Sequence, residues 1–134
     1  MLVRDRMSTH PVTIRSDADY KVALTLMQEH ALHHVPVLDA ARKLVGIVAE
    51  RDLLLAATRY LQSAIEVGDV MHKNVTTASP DMPIAEAATL MVEYRIGGLP
   101  VVDGDANVIG VITETDIFRA FVERERKGGV GTPD

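Results

Sequence analysis

Apolar positions along this chain pass through the same succession of patterns twice. A short β-prone run, Pro11-Val12-Thr13-Ile14, follows turn residues, and Val75-Thr76-Thr77 takes the same place later, so each predicts a short first strand. The spacing then lengthens. Ala23, Leu26, Met27 and His30, and again Ala87, Leu90, Met91 and Tyr94, mark the i, i+3, i+4, i+7 stripe of a helix with one buried face. Methionine in that stripe reads as core filler. Next come runs that are apolar at nearly every position, Val35 to Leu38 and Leu44 to Val48, then Leu99 to Val102 and Val108 to Ile112. Unbroken runs of this length predict strands covered on both faces. Asp39 to Lys43 and Asp103 to Asn107 carry turn chemistry between them. A last apolar helix is predicted over Leu53 to Leu61 and over Ile117 to Val122. The order is β-α-β-β-α, twice.

The two successions superimpose at a constant offset of 64 positions without a gap, pairing Asp5 with Asp69, Met7 with Met71, Pro36 with Pro100, Gly46 with Gly110 and Asp52 with Asp116. A period of this kind marks tandem copies of one supersecondary unit. Each copy is small enough to bury only about 60% of its unfolded surface alone, so a shared core is expected. Asp17 and Asp81 are candidate caps of the first helix, with Pro83 in its first turn, and Asp52 and Asp116 of the second. Gly46 and Gly110 interrupt β-branched strands, which points to close approach by another backbone or a ligand. Pro36 and Pro100 suit a strand start. The boundaries expected are a first repeat over 1–62, a second over 63–126 and a flexible, glycine-rich tail over 127–134, with polar, fraying sequence from Glu123 onward.

Composition narrows the functions. The chain of 134 residues has a formal charge of −5, a balance that argues against nucleic acid and anionic membranes as partners. It has no cysteine, hence no disulfides or thiolate chemistry, and tryptophan is also absent, which disfavours base-stacking platforms. No apolar stretch reaches the roughly 20 residues of a spanning helix, and the start, MLVRDRMSTHP, lacks a signal core. A soluble, cytoplasmic protein is expected.

Three recurring segments carry a resemblance. They are the openings Asp5-Arg6-Met7 and Asp69-Val70-Met71, the helix-to-strand steps His33 to Asp39 and Gly97 to Asp103, and the closings Gly46 to Asp52 and Gly110 to Asp116. In these the chain resembles a tandem pair of CBS (cystathionine-β-synthase-type) domains up to about Arg126. The resemblance implies a mixed α/β (α+β) fold: two β-α-β-β-α repeats packed with pseudo-twofold symmetry, small sheets flanked by helices. It also implies a regulatory adenosine-containing ligand, AMP, ADP, ATP or S-adenosylmethionine, in clefts that each take an aspartate from one repeat and base- and phosphate-facing segments from the other. Cleft one would join Thr113 and Asp116 to Pro11, Val12, Leu32, His33, His34 and Pro36. Cleft two would join Ala49 and Asp52 to Val75, Thr76, Ile96, Gly97, Gly98 and Pro100.

The residue chemistry agrees with those roles. A carboxylate accepts hydrogen bonds from both ribose hydroxyls, although Asp52 and Asp116 could equally be helix caps. Thr113 can donate to a ligand oxygen, whereas its counterpart Ala49 cannot, and cleft two has Gly97-Gly98 where cleft one has His33-His34. There a phosphate would rely on backbone N–H groups or on Arg51 and Arg95, so cleft one is favoured. His30 and His34 have the i, i+4 spacing of a helical metal site, but no acidic or cysteine partner accompanies them, and no metal is assigned. Glu50 and Glu114 recur and read as solvated partners of the helix dipole. Nucleophile elbow, P-loop and dinucleotide fingerprint are all missing, so the reading is a non-catalytic sensor. The alternatives are a scaffold without ligand and, remotely, a metal-dependent enzyme. The family implies homodimers, for which Leu53, Leu54, Leu55, Ile117, Phe118 and Phe121 offer surface, and a separate effector protein is a further expected partner.

Overall fold

The computed structural model describes residues 1–59 and 64–128. Leu61, the predicted repeat boundary at 62/63 and the tail beyond Gly128 lie outside them. The first repeat contains β1 (Ile14–Arg15), α1 (Tyr20–His30), β2 (His34–Leu38), β3 (Leu44–Ala49) and α2 (Glu50–Arg59). The second contains α3 (Ile84–Tyr94), β4 (Gly98–Val102), β5 (Val108–Thr113) and α4 (Glu114–Gly128). β1 runs parallel to β2 with Ile14 opposite Val37, and β2 pairs antiparallel with β3. β4 and β5 form the second antiparallel hairpin. In place of a strand at Val75 to Thr77, Ala78 makes a single parallel bridge to Val101.

The chain divides into two compact units whose borders are not those of the repeats. One holds Met1–Pro11 with Thr76–Gly104 and the segment from Val108 on; the other holds Val12–Val75 with Asp105–Asn107. Buried residues among those described accordingly form two clusters, each shared by both repeats. Val67, from the opening of the second repeat, is fully buried among Ile14, Met27, Val35 and Leu53. Val3, from the opening of the first, is fully buried among Ala87, Met91, Leu99 and Ile112. Each repeat thus lends its opening segment to the unit built by the other.

The Asp-x-Met openings explain how. Val3–Asp5 and Val67–Asp69 are short 3-10 turns. Asp5 Oδ2 accepts the Leu2 N–H at 2.8 Å and Asp69 Oδ2 accepts the Glu66 N–H at 3.0 Å, which caps each turn. The chain then meets a strand edge. His72 exchanges two backbone hydrogen bonds with Ile47, at 2.8 and 2.9 Å, and Ser8 exchanges two with Val111, at 2.9 and 3.0 Å. This is where the glycines matter: a Cβ on Gly46 would stand 2.6 Å from Met71 Sδ and 2.8 Å from the His72 carbonyl oxygen. One on Gly110 would stand 2.7 Å from the Ser8 carbonyl oxygen and 2.9 Å from Met7 Sδ. What approaches each glycine is thus the opening segment itself, through a backbone carbonyl and the neighbouring methionine sulfur.

Several local expectations are revised. α1 is capped by Asp19, whose side chain accepts the Lys21 N–H at 2.8 Å, whereas Pro83 holds the cap position of α3 without a side-chain hydrogen bond. Asp17 instead pairs with Arg15, and Asp81 with Arg4 of the docked opening segment. The buried stripe of α1 is Tyr20, Ala23 and Met27, while His30 and Tyr94 are exposed. Both end their helices, where Ala31 (φ 54) and Arg95 (φ 55) take the left-handed conformation. Leu32 N–H to Met27 C=O at 2.8 Å and Ile96 N–H to Met91 C=O at 3.0 Å close these turns as Schellman-type caps. Burial is continuous along β2 and β4, but β3 and β5 alternate. Pro36 and Pro100 lie inside their strands rather than at the start. The Pro100 carbonyl accepts the Ala78 N–H at 2.9 Å, so its ring nitrogen faces that thinly paired edge and the ladder to β5 loses no bond. α4 runs past Val122 to Gly128, with Arg6 and Glu123 ion-paired along it.

Candidate functional site

The residues singled out above lie in the stretches ahead of β1 and α3, in the helix-to-strand steps, within β2 and β4, and around the starts of α2 and α4. Pro11 and Val12 are half-buried in the extended stretch before β1, as are Val75 and Thr76 in the equivalent stretch. Pro11 and Thr76 belong to one unit, Val12 and Val75 to the other. Leu32 and Ile96 pack on the first and second clusters respectively. His33, His34 and Gly97 are exposed, Gly98 opens β4, and Pro36 and Pro100 are buried within β2 and β4. Inside each repeat, register sets His34 opposite Ala49 and Gly98 opposite Thr113.

Asp116 is the third residue of α4, not its cap. Thr113 precedes the helix and donates from both its N–H (2.9 Å) and Oγ1 (3.0 Å) to Asp116 Oδ2, while the Asp116 N–H reaches Thr113 Oγ1 at 3.4 Å. This reciprocal pair is a capping box with aspartate in the acidic place. It satisfies the helix end and holds the half-buried carboxylate in one orientation, with acceptor capacity left on Oδ1. The cap is therefore Thr113, and Asp116, expected as the cap, is the acidic member of its box.

Asp52 has the same position in α2, but Ala49 offers no hydroxyl. Its carboxylate Oδ2 accepts from His72 Nε2 at 2.8 Å. His72 was not among the sequence candidates. Its position answers to Ser8 in the first repeat, and the only signal was the break in that equivalence. A cavity of about 600 Å³ opens beside this pair, lined also by Leu55, Arg59, Ile65 and Asp69. Of the residues predicted for cleft two it includes Asp52 alone.

The recurring glutamates sit closer to the helix-to-strand steps than their reading as solvated dipole partners implies. Glu50 N–H bonds the His33 carbonyl at 2.9 Å, and its Oε1 accepts from His33 Nδ1 at 3.2 Å. Glu114 N–H bonds the Gly97 carbonyl at 3.0 Å, and its Oε1 lies 2.7 Å from where a Gly97 Cβ would stand. Among the described residues, no three His, Cys, Asp or Glu side chains gather as a metal site. His34 lies in β2, so the helical i, i+4 spacing with His30 is not realised. Among them, too, no helix is long and apolar enough to cross a membrane.

The family model described as CBS domain matches the chain twice, over residues 3–59 and 67–123. The chain belongs to the CBS domain family. L-aspartate semialdehyde sulfurtransferase of Methanocaldococcus jannaschii is 36% identical over 120 residues, which are 90% of this chain but 23% of that enzyme. The CBS domain pair of protein MJ0100, solved in complex with 5′-methylthioadenosine and S-adenosyl-L-methionine, is 35% identical with a TM-score of 0.81, covering 92% of this chain and 98% of that one. The CBS-pair protein CBSX2 of Arabidopsis thaliana, solved in complex with AMP, is 29% identical with a TM-score of 0.83, covering 93% and 98%. CBS pairs similar to this chain over nearly its whole length therefore hold adenosine compounds.

Proposed function

We propose that this CBS pair is a non-catalytic regulatory module that senses an adenosine-containing ligand. What carries the reading is the likeness, over 92% of the chain, to a CBS pair holding two such ligands. In the favoured site, Asp116, oriented by Thr113, takes the ribose hydroxyls, and Pro11, Val12, Leu32, His33, His34 and Pro36 form the remainder. The second site, built on Ala49 and Asp52 with Val75, Thr76, Ile96, Gly97, Gly98 and Pro100, is weaker. Its aspartate already holds His72, which a ribose must displace.

The ligand acts by binding one conformation of the pair more tightly than another, and the change passes to a separate effector protein or to self-association. Exposed apolar side chains on α2 (Leu54, Leu55) and α4 (Phe118, Phe121, Val122) supply the surface for a homodimer. The deciding experiment is thermal unfolding with AMP, ADP, ATP and S-adenosylmethionine. A ligand at 100 times its Kd adds about 2.7 kcal/mol. Stabilisation that Asp116→Asn removes supports the sensor; no shift with any adenosine compound leaves a ligand-free scaffold.

A further inference from the structure

The helix-to-strand steps at His33 and Gly97, which on the reading above face the 5′ end of the ligand, each carry a carboxylate placed there by the backbone. The Glu50 and Glu114 N–H groups are tied to the carbonyls of residues 33 and 97, at 2.9 and 3.0 Å, so these side chains start at the step itself. Glu50 then folds back onto the His33 ring at 3.2 Å, and Glu114 fills the space above Gly97 that a side chain there would need. The helix ends that could welcome an anion are already occupied. α2 has Glu50 and Asp52 in its first turn, and α4 has Glu114 and Asp116. The cations nearest in sequence are Arg51 and Arg95, both exposed, and the imidazoles of His33 and His34, which count only when protonated. The net charge of −5 works in the same direction.

Resting on the sensor reading, the geometry points to selection by charge at the 5′ position: the module takes adenosines with a neutral or cationic 5′ substituent, a thioether or sulfonium, in preference to 5′-polyphosphates. Glu50 and Glu114 are the residues that set this preference. Two like unit charges roughly 7 Å apart, at a dielectric between those of protein surface and water, disfavour binding about five- to tenfold. A neutral thioether is indifferent to it, and a sulfonium gains.

The test is calorimetric titration of the full chain with 5′-methylthioadenosine, S-adenosylmethionine, AMP and ATP, without divalent cations, for the parent and for the Glu50→Gln, Glu114→Gln double variant. Glutamine keeps the side-chain shape, and circular dichroism checks the fold. The parent is expected to bind methylthioadenosine at least tenfold more tightly than ATP. In the double variant that gap narrows by about tenfold through a gain for AMP and ATP, with methylthioadenosine unchanged. Tighter binding of ATP than of methylthioadenosine by the parent overturns the charge selection and leaves the sensor standing, as does an unaltered gap in the variant. Failure of all four compounds to bind overturns both.

Discussion

Replacing Gly46 by alanine tests the docking of the opening segment on the strand. The added methyl carbon would lie 2.8 Å from the His72 carbonyl oxygen and 2.6 Å from Met71 Sδ. An ordinary contact needs about 3.4 Å, so something must yield by roughly 0.6 Å, in the range where overpacking costs about 1–3 kcal/mol. The sulfur can swing aside. The carbonyl cannot do so freely, because His72 and Ile47 are joined by two backbone bonds, each contributing about 1 kcal/mol. Alanine returns about 0.4–1 kcal/mol by restricting the unfolded chain. The net expectation is a loss of about 2 kcal/mol, or about 7 °C in Tm for a chain of this length. Urea denaturation and calorimetry read it directly.

Two controls sharpen the result. Gly104 has nothing within 4 Å of its Cβ position, so Gly104→Ala should be neutral or slightly stabilising. Adding Met71→Ala to Gly46→Ala removes the sulfur clash but leaves the carbonyl, and should not restore the shift in full. If Gly46→Ala is as harmless as Gly104→Ala, the segment does not dock on β3 as described.

Four further outcomes are expected. Thr113→Ala should cost about 1 kcal/mol in urea titrations without ligand, because the box at the start of α4 is lost. Ala31→Gly should stabilise by up to about 1 kcal/mol, since glycine adopts the left-handed conformation of that position without the Cβ penalty. Val67→Ala should cost about 2 kcal/mol, measured as a lowered urea midpoint, although Val67 belongs to the other repeat by sequence. The ion pair with Arg6 holds the Glu123 carboxyl below its ordinary value of 4.5. The folded chain therefore binds fewer protons than the unfolded one between the two values. Its stabilisation is present above 4.5 and fades as pH falls through the lower folded value, an acid-side slope that Glu123→Gln should flatten in a pH series of melts.

Apart from the strand expected at Val75 to Thr77, the order of elements was legible because each imposes its own period, and the unbroken offset exposed the repeat. Gly46 and Gly110 also announced a close approach, since a glycine in a β-branched strand has few other reasons to be there. What approaches was not legible. Nothing in residues 65–72 says they dock on the first repeat, because an opening segment fits the hairpin of either copy by local pattern. The cap of α1 lies two residues beyond Asp17 because Asp17 and Asp19 are equally able acceptors, and only the path of the chain decides. The left-handed turns at Ala31 and Arg95 went unseen because neither is glycine. The pairing of Asp52 with His72 spans 20 positions and left a trace only as a mismatch between repeats.

The traded opening segments also govern what a single cut would do. Cleavage between residues 59 and 64 yields two fragments, each carrying a strap that completes the other's unit: Met1–Pro11 stays with the N-terminal piece, and residues 64–75 leave with the C-terminal one. Such halves are poor candidates for separate life but natural partners for reassembly from solution. The same trade between two chains would produce a domain-swapped pair without any new contact.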